Sequence, residues 1–169
     1  MSWEMVQNAA QAAWHVIKDG EPHQEISTHR ANAVPAVDDW QDLGTGFYSP
    51  KKIRMTYEWP VNVPEFMGRY VYVDAEILLR FDYGATYKGG GAFIPSIWLE
   101  VPQAYTGWSW NLDIDVRFQP PTNANPGDRS RPIARIPVTV SGTVSTYEHR
   151  QHLEWGFTLY GNGSWVQDT

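Results

Sequence analysis

Residues 70–82 read Tyr-Val-Tyr-Val-Asp-Ala-Glu-Ile-Leu-Leu-Arg-Phe-Asp, and this stretch decides the fold. Apolar side chains fall on every second position from Val71 to Phe81, and most positions between them are charged or carry a hydroxyl. Successive side chains of a β-strand point to opposite faces, so a period of two predicts a strand that is buried on one side only.

Five further stretches of the chain alternate in the same way. They span residues 53–59, 93–101, 108–118, 138–144 and 153–159. One-sided strands bury their apolar faces by stacking two sheets against each other. The sequence therefore predicts an all-β fold, an antiparallel β-sandwich of jelly-roll type.

The N-terminal segment follows a different period. Apolar residues recur there at spacings of three and four, from Trp3 through Trp14 to Ile17. This spacing predicts an amphipathic α-helix from Ser2 to Asp19. We expect residues 1–20 to form this helix and residues 21–169 to form a single sandwich domain. The helix is expected to make its contacts through Trp3, Trp14 and Ile17, with the sandwich, a neighbouring subunit or a lipid bilayer.

Composition and charge exclude several classes of function. The formal net charge is −6, so electrostatic binding to nucleic acid is not expected, because phosphate contacts need clustered Lys and Arg. The chain has no cysteine, which excludes disulfides and a thiolate nucleophile. The first residues show no secretory signal pattern. The sequence does not determine where the protein resides. A virion and an extracellular site reached by non-classical release are both compatible with it.

A row of polar residues on one predicted strand is the strongest candidate for a contact surface. Asn111, Asp113, Asp115 and Arg117 share one side of the strand, since they are spaced by two. We expect this row to meet a partner, with Arg117 pairing to one of the aspartates. Binding of calcium or another polar ligand by the two carboxylates is the alternative.

Catalytic patterns are missing from the sequence. His149 and His152 would point to opposite sides of a strand, which does not favour zinc. The triple glycine at residues 89–91 lacks the Lys-Ser/Thr ending of a phosphate loop and favours a tight turn instead. We therefore predict no enzyme activity, no catalytic residue, no metal ligand and no cofactor.

Loops supply further candidate binding residues. Trp40, Tyr87 and Tyr105 lie outside or at the ends of the predicted strands, and Trp108 begins one. Such rings cover a core, stack on sugars, enter a bilayer interface or anchor a protein contact. Residues 119–132, rich in Pro and Asn, form the longest connection, and we predict that it lacks regular structure and is functional or mobile.

Two segments resemble known β-sandwich families. Val34-Pro-Ala-Val-Asp-Asp-Trp-Gln-Asp-Leu-Gly44, leading through Pro50 to the strand at Ile53, is similar to the opening hairpin of bacterial galactose-binding lectins, where a Trp-x-x-x-Gly turn precedes the first core strand. That resemblance implies sugar binding on a sandwich.

The segment Val101-Pro-Gln-Ala-Tyr-Thr-Gly-Trp-Ser-Trp-Asn-Leu-Asp-Ile-Asp-Val-Arg117 resembles the aromatic segment of actinoporins. These pore-forming toxins carry an amphipathic N-terminal helix on a cysteine-free sandwich. The resemblance implies that Tyr105 and Trp108 dock on a bilayer that the N-terminal helix then enters.

Three function classes follow from these patterns. The leading hypothesis is a non-enzymatic structural or receptor-binding subunit of a larger assembly, such as a virion or an appendage, that self-associates or binds other protein subunits. The alternatives are a membrane-binding pore-forming protein and a soluble carbohydrate-binding lectin, whose partners would be a membrane surface and a glycan.

Overall fold

The computed structural model describes residues 5–7, 13–15, 25–27, 30–35, 40–44, 50–59, 73–106, 110–145, 148 and 150–169. Within these ranges every regular element is a β-strand except one turn of 3-10 helix at Trp40–Asp42. The strands of the N-terminal half are β1 Met5–Gln7, β2 Ala13–His15, β3 Glu25–Ser27, β4 Arg30–Pro35, β5 Leu43–Gly44, β6 Lys51–Trp59 and β7 Val73–Phe81. Those that follow are β8 Ala85–Tyr87, β9 Gly90–Thr106, β10 Asn111–Phe118, β11 Thr122–Asn123, β12 Ala134–Ser145, β13 Arg150–Tyr160 and β14 Trp165–Gln167.

The strands form two sheets. The first runs in the order β1-β4-β9-β7-β6, and β8 joins it by pairing with β9 on one side and β5 on the other. The second runs in the order β14-β13-β12-β10-β2-β3, and β11 also pairs with β12. The strand pairs are antiparallel, and a single parallel bridge joins Ala92 to Ile133. The predicted all-β class is therefore confirmed.

Burial follows the alternation seen in the sequence. Along β7, Val73, Ala75, Ile77, Leu79 and Phe81 are buried and the residues between them are half-buried. β10 repeats this pattern and buries Leu112, Ile114 and Val116. Each large apolar side chain that is removed from water in this way contributes about 1.5–3 kcal/mol to folding.

The buried side chains of both sheets belong to one hydrophobic cluster. Tyr57 of β6 and Trp155 of β13 contact each other across the two sheets, edge to face, with ring centroids 6.4 Å apart. The hydroxyl of Tyr57 is buried and has no hydrogen-bond partner in the part of the chain that the structure describes. Burial raises the pKa of this phenol above its ordinary value.

The predicted N-terminal helix over Ser2–Asp19 does not form at the positions described. Met5–Gln7 is β1, paired with β4, and Ala13–His15 is β2, paired with β10 and β3. Alanine content and a spacing of three to four favour a helix locally, but β4 and β10 offer backbone donors and acceptors along one edge. Pairing with those edges outweighs the weak intrinsic preference. The remaining residues of the segment lie outside the described ranges.

The long connection over residues 119–132 is more ordered than the sequence suggests. It contains β11, and the Asn123 Oδ1 accepts hydrogen bonds from the backbone N–H groups of Asn125 and Ile133 at 2.9 and 3.0 Å. The Asn125 Nδ2 donates to the carbonyl of Arg131 at 2.9 Å. These asparagines act as local backbone partners, which fixes the loop without a longer strand.

The triple glycine forms a tight turn, as its composition predicts. Lys88 and Gly89 link β8 to β9 with φ values of 48° and 77°, the positive pair that a type I′ hairpin turn requires. A Cβ on Gly91 would lie 2.7 Å from the Phe93 ring and 3.0 Å from the Pro132 carbonyl oxygen. Glycine at this position therefore lets the segment around Pro132 approach the hairpin.

Candidate functional site

The outward side of β10, β12 and β13 carries one continuous polar surface. The strand register aligns its side chains in rows that run Asn111–Ser145–Arg150, Asp113–Thr143–His152, Asp115–Ser141–Glu154 and Arg117–Thr139. We call these eleven residues the polar face. Their apolar neighbours along each strand point into the core, so the same period of two produces both surfaces.

Arg117 and Asp115 form an ion pair on the polar face. The Arg117 Nε donates to the Asp115 Oδ2 at 3.0 Å, and the two residues are neighbours on one side of β10. The predicted pairing of Arg117 with an aspartate is confirmed. Because the arginine side chain is largely exposed, water screens this pair, and its main effect is to orient the carboxylate.

A hydroxyl, an imidazole and a carboxylate follow one another across β12 and β13. The Thr143 Oγ1 lies 2.8 Å from the His152 Nδ1, and the His152 Nε2 lies 3.3 Å from the Glu154 Oε1. Nucleophilic catalysis uses the same three group types, but it needs them shielded from water so that the charges act strongly. Half of the His152 side chain and 55% of the Glu154 side chain are exposed, which favours a solvated contact surface over a reaction centre.

The polar face mixes charges of both signs with small hydroxyl groups. Asp113, Asp115 and Glu154 supply carboxylates, Arg117 and Arg150 supply guanidinium groups, and Ser141 and Thr143 lie between them. Ser141 is only 8% exposed, because the longer side chains in its row shield it. The surface is rich in hydrogen-bonding groups, which suits recognition of another polar surface.

The structure places the predicted site residues on several surfaces. Asn111, Asp113, Asp115 and Arg117 share the polar face, as their spacing predicts. Tyr105 lies in β9 of the other sheet, opposite Asp74 of β7, and is 55% exposed. Tyr87 ends β8, where the Lys88 Nζ lies 5.3 Å from the centre of its ring.

The other predicted aromatic residues do not join the polar face at the positions described. Trp40 begins the 3-10 turn that precedes β5. Trp14 lies in β2, opposite Ile114 of β10. Trp3, Ile17 and Trp108 lie outside the described residues. The structure therefore brings together the four polar residues of β10 and does not bring the aromatic residues to them.

Sequence reasoning missed the contribution of β12 and β13. Thr143 and Glu154 lie on the solvent side of two predicted strands, so the alternation itself marked them as outward-facing, and His152 directly precedes the second of these strands. The missing information was the pairing order, because β10 and β12 are adjacent in the sheet although the 119–133 connection separates them in the chain.

Two features are absent from the residues that the structure describes. No group of three or more His, Asp or Glu side chains there is placed to hold a metal ion. No helix in the described ranges has the length and hydropathy to cross a membrane.

No protein-family model, curated protein or solved structure matches this chain. The function must therefore be argued from the geometry of its own residues.

Proposed function

We propose that this protein is a non-enzymatic structural or receptor-binding subunit of a larger assembly and that it acts through surface contacts. The observation that carries the proposal is the polar face, an extended array of paired donors and acceptors on the outside of the second sheet. Five of its side chains are oriented by one another, namely Asp115, Arg117, Thr143, His152 and Glu154, so these lose little freedom when a partner covers them.

The fold in this proposal is a sandwich of jelly-roll type. Support comes from the single hydrophobic cluster that both sheets share and from the Tyr57–Trp155 contact between them. When the sheets stack in this way, their apolar faces are buried in the core. Contacts with a partner are then made by the polar outer faces, the edges and the loops.

An edge strand supports the same function. Trp165 and Val166 of β14 are 40% and 51% exposed, and β14 pairs with β13 on one side only among the described strands. β6 is the corresponding edge of the first sheet, and it carries Lys51, Lys52 and Arg54, charges of the kind that discourage further strand pairing. β14 has no charged residue, so this edge lacks the charges that discourage pairing with a strand of another subunit.

The membrane alternative depends on an N-terminal amphipathic helix. The described parts of that segment, Met5–Gln7 and Ala13–His15, are strands, so we favour protein contacts over insertion into a bilayer. A glycan ligand on the polar face stays an alternative within the same surface-contact class, because sugars and proteins use the same donors and acceptors.

Size-exclusion chromatography with light scattering tests the proposal on two matched variants. Thr143→Arg adds a bulky cation at the centre of the polar face, while Thr56→Arg makes the same change on the outward side of β6. We expect the wild type and Thr56→Arg to form an ordered oligomer and Thr143→Arg to elute as a monomer. Circular dichroism and thermal unfolding check that both variants fold.

Two results would count against this function. One is a wild-type monomer at every concentration that also binds neither protein nor glycan in array screening. The other is an oligomer that Thr143→Arg leaves intact, since the polar face would then lie outside the contact.

A further inference from the structure

A separate surface cleft lies between the β8–β9 hairpin and the connection that precedes β12. Its volume is about 400 Å³, and its lining consists of Gly89, Gly90, Gly91, Ala92, Asn125, Arg131, Pro132 and Ile133. Three of these eight residues are glycines, and Arg131 is the one charged residue among the described residues that line the cleft.

Both walls of the cleft are held in place by hydrogen bonds. The Ala92 N–H donates to the Pro132 carbonyl at 2.8 Å, which ties the hairpin to the opposite wall. The Arg131 N–H donates to the Asp128 carbonyl at 3.1 Å, and the Arg131 carbonyl accepts from the Asn125 side chain. These bonds hold the backbone of Arg131 in place at the cleft.

Arg131 differs in its ion pairing from three arginines of the described strands. Arg54, Arg80 and Arg117 each lie 3.0 Å from a carboxylate oxygen. Arg129 and Arg131 lie in the connection and Arg135 lies at the start of β12, and none of the three makes an ion pair with a described residue. In a chain of net charge −6, these three arginines are a local concentration of positive charge, which Asp128 offsets in part.

Asp128 is the carboxylate nearest to this charge. Its Oδ1 already accepts hydrogen bonds from the Ser130 hydroxyl at 2.5 Å and the Ser130 N–H at 3.0 Å. These bonds, with the charge of Arg131, hold the pKa of Asp128 below its ordinary value. The lowered pKa keeps Asp128 ionised at neutral pH, and Asp128 forms no ion pair with Arg131.

We infer that this cleft binds a small anionic molecule through a phosphate or carboxylate group held by Arg131. A guanidinium presents planar donors that match either oxyanion, and a cleft of this volume has room for a five- or six-membered ring behind the anion. The glycine backbone lets such a ligand approach closely, and Asn125 acts as a positioning residue through the Arg131 carbonyl.

Isothermal titration of the full chain with matched ligands tests the inference. Ribose 5-phosphate probes the phosphate arm, gluconate probes the carboxylate arm, and ribose is the uncharged control. We expect saturable, salt-sensitive binding of at least one of the anions and none of ribose. The arm that binds more tightly identifies the oxyanion.

Variants locate the binding to the cleft. Arg131→Gln should weaken the affinity about tenfold or more, because a charge-assisted hydrogen bond is lost. Arg129→Gln, two residues away in the chain and outside the lining, should change the affinity by less than about twofold. Asp128→Asn keeps an acceptor for Ser130 and removes the competing charge, so it should strengthen binding.

The inference is overturned if neither anion binds saturably, if ribose binds as well as its phosphate, or if Arg129→Gln weakens binding as much as Arg131→Gln. The last result would mean diffuse attraction to a basic surface. None of these outcomes alters the proposal for the polar face, which lies on different strands.

Discussion

Tyr57 and Trp155 join the two sheets through an edge-to-face ring contact, with their planes inclined at 88°. The contact places a phenol hydroxyl in the core, and that hydroxyl has no partner among the described residues. The ring therefore stabilises the packing of the sheets, whereas the hydroxyl opposes it, because a buried polar group without a hydrogen bond keeps its desolvation cost.

The first prediction separates these two effects at Tyr57. Tyr57→Phe keeps the ring and removes the unpaired hydroxyl, so it should raise the free energy of unfolding by about 1 kcal/mol. Tyr57→Ala removes the ring contact and leaves a cavity, so it should lower that free energy by about 3–5 kcal/mol. Urea unfolding measures both. Tyr105→Phe is the control, since its exposed hydroxyl should have no effect, and a destabilised Tyr57→Phe would reveal a hidden hydrogen bond.

The second prediction concerns alkaline pH. Burial raises the pKa of Tyr57 above 10.0 in the folded protein, whereas in the unfolded chain the phenol titrates near that value. As pH rises above 10, the phenol ionises in the unfolded chain before it ionises in the folded protein. The free energy of unfolding is therefore unaffected by this group below pH 10 and decreases as pH rises from 10 toward the folded pKa. Unfolding between pH 8 and 11 should show this loss in the wild type.

Tyr57→Phe is the control for the alkaline effect, because it has no proton to release. An equal loss of stability in the wild type and in this variant would assign the effect to other groups.

The third prediction concerns Asp128 at acid pH. Its pKa lies below the ordinary value of 3.8, chiefly because the Ser130 hydroxyl and N–H donate to the ionised carboxylate. The contribution of this turn is present above pH 3.8 and is lost as pH falls through the lower folded pKa. The amide shift of Ser130, followed by NMR, should titrate with a midpoint below 3.8. Ser130→Ala should move the Asp128 midpoint upward, and an unchanged midpoint would remove Ser130 as its cause.

How much of this fold could be predicted depends on whether the signal is local. Alternation is local, and it correctly placed Val73, Ile77 and Phe81 in the core and Asp113 and Asp115 on one outward side. Strand pairing is not local. The residues around Met5–Gln7 do not indicate that this segment pairs with β4. The helical spacing was the stronger local signal, so the helix prediction was wrong at these positions.

The same distinction applies to the sites. The β10 row could be predicted from its spacing alone, but its neighbours Thr143 and His152 depend on the β10-β12-β13 order. The cleft at Arg131 forms because two connections that are remote in sequence approach each other. The glycines leave room for this approach, but their presence in the sequence does not predict it.

The fourth prediction tests the closest approach between such remote segments. Gly161 is buried, its N–H donates to the Ala134 carbonyl at 2.8 Å, and its carbonyl accepts from the Gly84 N–H at 2.8 Å. A Cβ on Gly161 would overlap the Ala92 carbonyl oxygen, a backbone atom that cannot rotate away. Gly161→Ala should therefore force the two sheets to shift and should lower the free energy of unfolding by about 3 kcal/mol.

Gly127→Ala is the matched control, because open space surrounds that position and its φ is not in the left-handed region. The control should be neutral or stabilising by up to about 1 kcal/mol. If both variants unfolded at the same urea concentration as the wild type, the close approach of Gly161 to β9 would be wrong.

The fifth prediction concerns the segment that follows β14. The buried Thr158 Oγ1 donates to the Asp168 Oδ2 at 2.8 Å, and the Asp168 N–H donates to the Gly156 carbonyl at 2.8 Å. Thr158→Val keeps the shape of the side chain and leaves the carboxylate without this donor, so it should lower the free energy of unfolding by about 1–2 kcal/mol. The effect should be concentrated at the end of the chain, because only that segment is held by the lost bond. Hydrogen exchange of the Asp168 and Thr169 amides should therefore accelerate more than exchange in β12.

Thr139→Val is the control, since Thr139 is outward-facing on β12 and its hydroxyl has no hydrogen bond to a described residue. Unchanged exchange at Asp168 in Thr158→Val would show that backbone pairing with Gly156 is sufficient to hold the segment.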